Sequence, residues 1–145
     1  MTRPSAIGHW EWRRILRGKP ERFVLAEESG TPIAIWCSGK AVPLQLEGQR
    51  YYRLDHFEIA PSVRGQLVGI FCFGLIAARA IELGADGIVL AALPEVARVY
   101  EKWGGMKRRP AGWHVGTGLQ SVVFGRDATL ECAEDSDAFR KKTDA

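Results

Sequence analysis

The stretch from Tyr51 to Leu93 constrains the fold most. A strand-like segment, Tyr51–Ala60, closes at Pro61, and after a short turn Leu67–Ala78 (LVGIFCFGLIAA) runs for 12 residues without a charge. That run is short of the roughly 20 residues needed to span a bilayer. It reads instead as a buried helix that ends near Gly84. Ala85–Leu93 (ADGIVLAAL) follows, and its near-continuous apolar character suits a buried parallel strand. Strand, helix and strand make one βαβ unit with a right-handed crossover. The chain is therefore expected to be α/β, with a central mixed sheet.

The flanking patterns extend this core. Residues 9–18 (HWEWRRILRG) read as a short amphipathic helix, with Trp12, Ile15 and Leu16 at i, i+3 and i+4. Arg22–Glu27 and Thr31–Cys37 read as two strands joined at Ser29-Gly30, a hairpin signal. Residues 38–50 are turn-rich, a loop or a strand extension. Within Tyr51–Ala60, Phe57 and Ile59 share one face and His56 and Glu58 the other. Leu54 is out of phase with Phe57, which suggests a β-bulge between them. Residues 95–103 read as a helix with Val96, Val99, Tyr100 and Trp103 on one core-facing stripe, stopped by Gly104-Gly105. Two short strands are expected near Met106–Arg109 and Leu119–Gly125. Residues 1–126 then form a single domain, and residues 127–145 read as a frayed polar tail.

Composition narrows the function classes. A formal net charge of +3 fits an anionic ligand but is too small to argue for nucleic acid. The basic runs at Arg13, Arg14, Arg17 and at Lys107, Arg108, Arg109 lack an accompanying nucleic-acid motif and read as solvated surface. The cysteines, Cys37, Cys72 and Cys132, lack C-x-x-C spacing, and the histidines, His9, His56 and His114, are scattered, so no metal site is expected. No signal peptide is visible near the N-terminus, and no membrane span is expected. A cytoplasmic protein is inferred.

The turn Ser62-Val63-Arg64-Gly65-Gln66-Leu67-Val68-Gly69-Ile70 leads from a strand into a helix. Such a turn exposes unpaired N–H groups, and these together with the helix dipole favour an anion. Gly65 permits close backbone approach and Arg64 can add a charge-assisted contact. A tight turn at Gly65 and close helix packing at Gly69 would account for the glycines equally well. The segment is neither G-x-G-x-x-G nor a Walker A loop.

The order of elements and two blocks resemble the GNAT N-acetyltransferase superfamily. The first block, Ile59-Ala60-Pro61-Ser62-Val63-Arg64-Gly65-Gln66-Leu67-Val68-Gly69, is similar to V-x-P-x-x-R-G-x-G-x-G. The second, Leu93-Pro94-Glu95-Val96-Ala97-Arg98-Val99-Tyr100-Glu101-Lys102-Trp103-Gly104-Gly105, is similar to N-P-x-A-x-x-x-Y-E-K-x-G-F. The resemblance covers about residues 51–107 and, more weakly, 22–37. It implies a GNAT-like fold that binds acetyl-CoA as co-substrate. Backbone amides from Arg64, Gly65, Gln66, Leu67, Val68, Gly69 and Ile70 would hold the pyrophosphate. The strand end Phe57 through Val63, Ile59 included, would pair with the pantetheine arm. The next strand, from about Ile88, would splay away and open a wedge for the thioester.

The resemblance further implies direct attack of an amine on the thioester. A backbone N–H at the bulge would polarise the carbonyl. Tyr100 would be the acid that protonates the departing thiolate, although its spacing suits a core position as well. Glu58 is the candidate base, with His56 and Asp55 as rivals. The chain departs from the pattern at Leu67 (glycine), Leu93 (asparagine) and Gly105 (aromatic), and its N-terminal part looks shortened. The expected activity is transfer of an acetyl group to an amine on a small molecule or protein. The alternative is a catalytically silent GNAT-like domain that binds acyl-CoA or a protein partner. The uncharged helix must have both faces covered in the monomer or meet a second copy, and a homodimer is favoured here.

Overall fold

The computed structural model describes residues 17–40, 42–61 and 68–144, with side chains through residue 136. Most of the expected N-terminal helix (residues 9–16) and the turn residues 62–67 lie outside the described residues.

The hairpin expected near Gly30 is present. Strand β1 (Glu21–Ala26) pairs antiparallel with β2 (Pro32–Ser38), and Gly30 turns between them at φ 91°. The ambiguous stretch resolves into β3 (Leu44–Leu46), which pairs antiparallel with the start of β4 (Gln49–Leu54). After Asp55 the chain resumes as β5 (His56–Ile59). Helix α1 (Val68–Glu82) leads into β6 (Gly87–Ala92). Helix α2 (Pro94–Lys102) starts on a proline, whose missing N–H costs nothing at a first helical turn. Then come β7 (Met106–Lys107), β8 (Gln120–Phe124) and helix α3 (Arg126–Asp144).

The strands form two sheets, β1-β2-β5 and β3-β4-β6-β8-β7. Among the described residues, only the β4–β6 pairing is parallel, as the βαβ reading requires. One face of the sheets, here the near face, carries Trp36, Tyr52, Leu54, Ile88, Leu90, Val122 and Phe124. These pack with Phe73, Ile76, Ala77 and Ala80 of α1 and with Ala97 and Tyr100 of α2. Phe73 and Ile76 are fully buried, each contributing about 1.5–3 kcal/mol of apolar burial. On the far face Leu46, Tyr51, Val89 and Val123 pack beneath Trp113 from the β7–β8 loop. No helix among the described residues is long and apolar enough to cross a membrane.

Two expectations fail. Val96 and Val99 are 40% and 41% exposed, whereas Ala97 and Tyr100 are buried. The helix turns its smallest side chain, Ala97, to the core, so it can approach the sheet closely. The frayed tail is instead α3, which docks on α1 through Cys132 and Ser136. Ser136 Oγ donates to the Phe71 carbonyl at 2.9 Å, and Cys132 Sγ donates to the Trp103 carbonyl at 3.4 Å. This docking gives the charge-free stretch of α1, Val68–Ala78, a cover within the monomer, so its composition no longer argues for a homodimer.

Candidate functional site

The expected irregularity between Leu54 and Phe57 is the feature that organises the site. Asp55 donates its N–H to the Cys37 carbonyl at 3.0 Å, and the next residue, His56, is the cross-strand partner of Cys37. Two residues thus oppose one, which is a β-bulge. Upstream of it, β4 pairs with β6 as far as Leu54 opposite Leu90. Downstream, β5 pairs with β2, and β6 continues to Ala92 with β8 alone. The strands therefore diverge beyond Leu90, two residues later than expected, and leave a wedge.

The alternation of antiparallel pairing decides which backbone groups face that wedge. Ala60 donates its N–H to the Ile33 carbonyl at 2.7 Å, so Glu58, two residues earlier, also directs its backbone to β2. Phe57 and Ile59 direct theirs away from β2, toward the wedge. The Phe57 ring meanwhile packs into the near-face core, 6.5 Å from Trp36 and 6.4 Å from Phe73 between ring centroids.

Helix α1 begins beside the same gap. Of the ten residues expected to bind the cofactor, Val63, Arg64, Gly65, Gln66 and Leu67 lie outside the described residues. Val68, Gly69 and Ile70 form the first turn of α1, the expected place for amides aimed at an anion. A Cβ on Gly69 would lie 3.1 Å from the Ile59 side chain and 3.2 Å from the Trp103 ring. Glycine is therefore what lets the helix start press against β5 and the end of α2.

Tyr100, the expected acid, lies on α2 in the near-face core. Its ring lies 5.5 Å from Phe73, 5.5 Å from Trp103 and 6.2 Å from Phe124. Burial raises its phenol above the ordinary tyrosine range, so it stays protonated and can donate. Its ring packing realises the core reading as well, and the two are compatible. Glu58 is 7% exposed and pairs across the strand with Ile35. By the alternation that puts Phe57 on the near face, Glu58 and His56 belong to the far face. Tyr100 and Glu58 thus belong to opposite faces of the sheets.

The rivals differ. The Asp55 carboxylate is held by Arg53 at 2.6 and 3.0 Å and by Lys19 at 2.7 Å. Burial would raise its pKa, but these two cations outweigh it and hold it below the ordinary value, so Asp55 is a poor base. Burial pulls the His56 imidazole down; Asp55 opposes that and Lys19 adds to it. Sequence reasoning did not anticipate Lys19 or Arg53. Gly39 belongs to the same cluster, since a Cβ there would overlap the Arg53 guanidinium and sit 2.9 Å from Asp55 Oδ2. The three thiols are buried, and burial pushes each up to about 11, so none is a ready nucleophile.

No family model and no curated protein sequence matches the chain. Solved structures do. A bacterial toxin superposes with a TM-score of 0.61 at 15% identity, over 92% of this chain and 90% of that one. AtaTR bound with AcCoA gives a TM-score of 0.54 at 16% identity, over 76% and 69% of the chains. Nourseothricin acetyltransferase gives 0.51 at 19% identity, over 72% and 64%. The split mixed sheet with its βαβ core is shared with these solved structures. The fold is that of the GNAT N-acetyltransferase superfamily.

Proposed function

We propose that the protein is an acetyl-CoA-dependent N-acetyltransferase that moves the acetyl group to a primary amine by direct attack. The observation that carries this reading is the divergence of β5 from β6 immediately after the bulge, with the Phe57 backbone directed into the gap. A thioester arm can add to β5 there as an extra strand does, by main-chain hydrogen bonds. The first turn of α1, with Arg64–Leu67 before it, supplies amides for the pyrophosphate.

In this reading the amine enters from the far face and gives a proton to Glu58. The C–N bond forms, the C–S bond breaks, and Tyr100 delivers its proton to the departing thiolate. A positioned acid of this kind typically contributes about 10²–10⁴-fold. With all three thiols buried and protonated, direct attack is favoured over a covalent acyl-enzyme. The likeness to acetyltransferase folds, one of them bound to AcCoA, supports the same cofactor.

Two measurements test it. Millimolar acetyl-CoA should raise the melting temperature by mass action, and free thiol should appear when an amine panel is added. No thermal shift would refute acyl-CoA binding altogether. A shift without thiol release from any amine would favour the silent domain, for which the exposed Leu93 at the asparagine position is the supporting observation.

A further inference from the structure

Where the strands divide, the far face carries a cluster that the proposed chemistry does not use. Lys19, just before β1, and Arg53, the penultimate residue of β4, converge on the single carboxylate of Asp55. Their side chains are 24% and 25% exposed and that of Asp55 is 13% exposed. Of the three N–H donors of Lys19 and the five of Arg53, three are engaged by Asp55. The others have no partner among the described residues, and no second carboxylate reaches either cation there. Among the described residues, one unit of positive charge is left half-buried where the sheets divide. Two like charges held this close in a partly desolvated place are costly unless an anion joins them.

The placement is specific. Arg53 pairs in register with Val89, a far-face core residue, so the guanidinium stands on the side from which the amine would approach Glu58. Gly39 clears the space in which it lies. Asp55 and Glu58 are three residues apart, which is about 10 Å of extended chain.

We propose that Lys19 and Arg53 bind an anionic group on the acceptor, a carboxylate or a phosphate, about 10 Å from the amine that is acetylated. This rests on the acetyltransferase reading for the identity of the ligand as an acceptor. The site itself is defined by the cluster. Asp55 then has two tasks: it fixes the bulge, and it aligns both cations so that their remaining donors converge.

Calorimetric titration of the full chain, saturated with acetyl-CoA, reads the site without turnover. The probes are ε-aminocaproate (carboxylate), 5-aminopentyl phosphate (phosphate), hexylamine (no second charge) and cadaverine (a second cation). At least one anionic amine should bind about tenfold or more tightly than hexylamine, as one charge-assisted contact warrants. Cadaverine should bind most weakly. Preference for ε-aminocaproate assigns a carboxylate, and preference for 5-aminopentyl phosphate a phosphate. Lys19→Met, which lies outside both sheets, should reduce the preference severalfold, and Arg53→Leu should abolish it, with the acetyl-CoA thermal shift intact in both. Equal binding of hexylamine and both anionic amines would overturn the proposal, and so would an unchanged preference in Lys19→Met. Anion selectivity without thiol release would leave the anion site standing and remove the transferase reading. Thiol release without anion selectivity would do the reverse.

Discussion

Gly74→Ala is the sharpest test of the helix packing that supports the site. A Cβ at position 74 would overlap the Ser136 Cβ and lie 2.7 Å from the Cys132 carbonyl and 2.8 Å from Ser136 Oγ. The Cys132 carbonyl is helix backbone and cannot swing aside. Three effects compete. Alanine gains about 1 kcal/mol of helix propensity over glycine. Overpacking costs about 1–3 kcal/mol. Displacing α3 also strains the Ser136 bond to the Phe71 carbonyl, a contact of about 1 kcal/mol. The expected net loss is about 1–3 kcal/mol, or a melting temperature lower by about 3–10 °C for a chain of this size. Thermal unfolding followed by far-UV circular dichroism measures it. The Gly74→Ala/Ser136→Gly double variant should be less destabilised than the two single changes added together, with coupling of about 1 kcal/mol. A melting temperature at or above that of the wild type for Gly74→Ala, or strict additivity in the double variant, would refute close docking of α3 on α1.

Three further outcomes are expected. Tyr100→Phe should lower thiol release by about 10²-fold or more while leaving the acetyl-CoA thermal shift intact; undiminished turnover would remove Tyr100 from the chemistry. Asp55→Asn should destabilise the protein at neutral pH. Because the folded-state pKa of Asp55 is depressed, its contribution is present above the unfolded value of 3.8 and disappears as pH falls through the folded value. The difference in melting temperature between wild type and variant should therefore narrow below about pH 4, and a constant difference down to acid would show that the carboxylate charge is irrelevant. Glu21→Gln removes the buried partner that Arg79 contacts at 2.9 and 3.1 Å; a loss of about 1–3 kcal/mol is expected, readable in urea unfolding, and no loss would mean that Glu82 suffices for Arg79.

The βαβ core was legible because its signals are long and mutually consistent. A charge-free run, a glycine stop and a continuous apolar strand leave few alternatives. The bulge was legible for the opposite reason: Leu54 and Phe57 cannot share a face under a strict period of two, yet both are apolar. Helix α3 was not legible, because the side chains it buries among the described residues are those of Thr129, Cys132 and Ser136. Small side chains allow close helix approach, but they carry little hydrophobic signal and read as polar. The stripe on α2 was misread for a related reason. Val96 and Val99 outweigh Ala97 on any hydrophobicity count, yet the alanine side is the one that lets Tyr100 reach Phe73 and Phe124. The Lys19–Arg53–Asp55 cluster left no sequence signal, since Lys19 and Asp55 stand 36 positions apart and meet only where the sheets divide.

That division follows from local conflict. Leu54 and Phe57 must both reach the near-face core, and only an extra residue between them permits it. Inserting Asp55 there turns the strand, so its hydrogen bonds pass from β6 to β2. A carboxylate at the turning point would be expensive alone in a half-buried place, and Arg53 and Lys19 offset that cost. The same residue therefore opens the wedge and gathers two cations at its mouth. If the bulge served packing alone, a neutral Asx side chain would suffice and one cation would be superfluous. The surplus positive charge is what a purely structural account of the bulge leaves over, and it lies on the face from which an amine acceptor would reach Glu58.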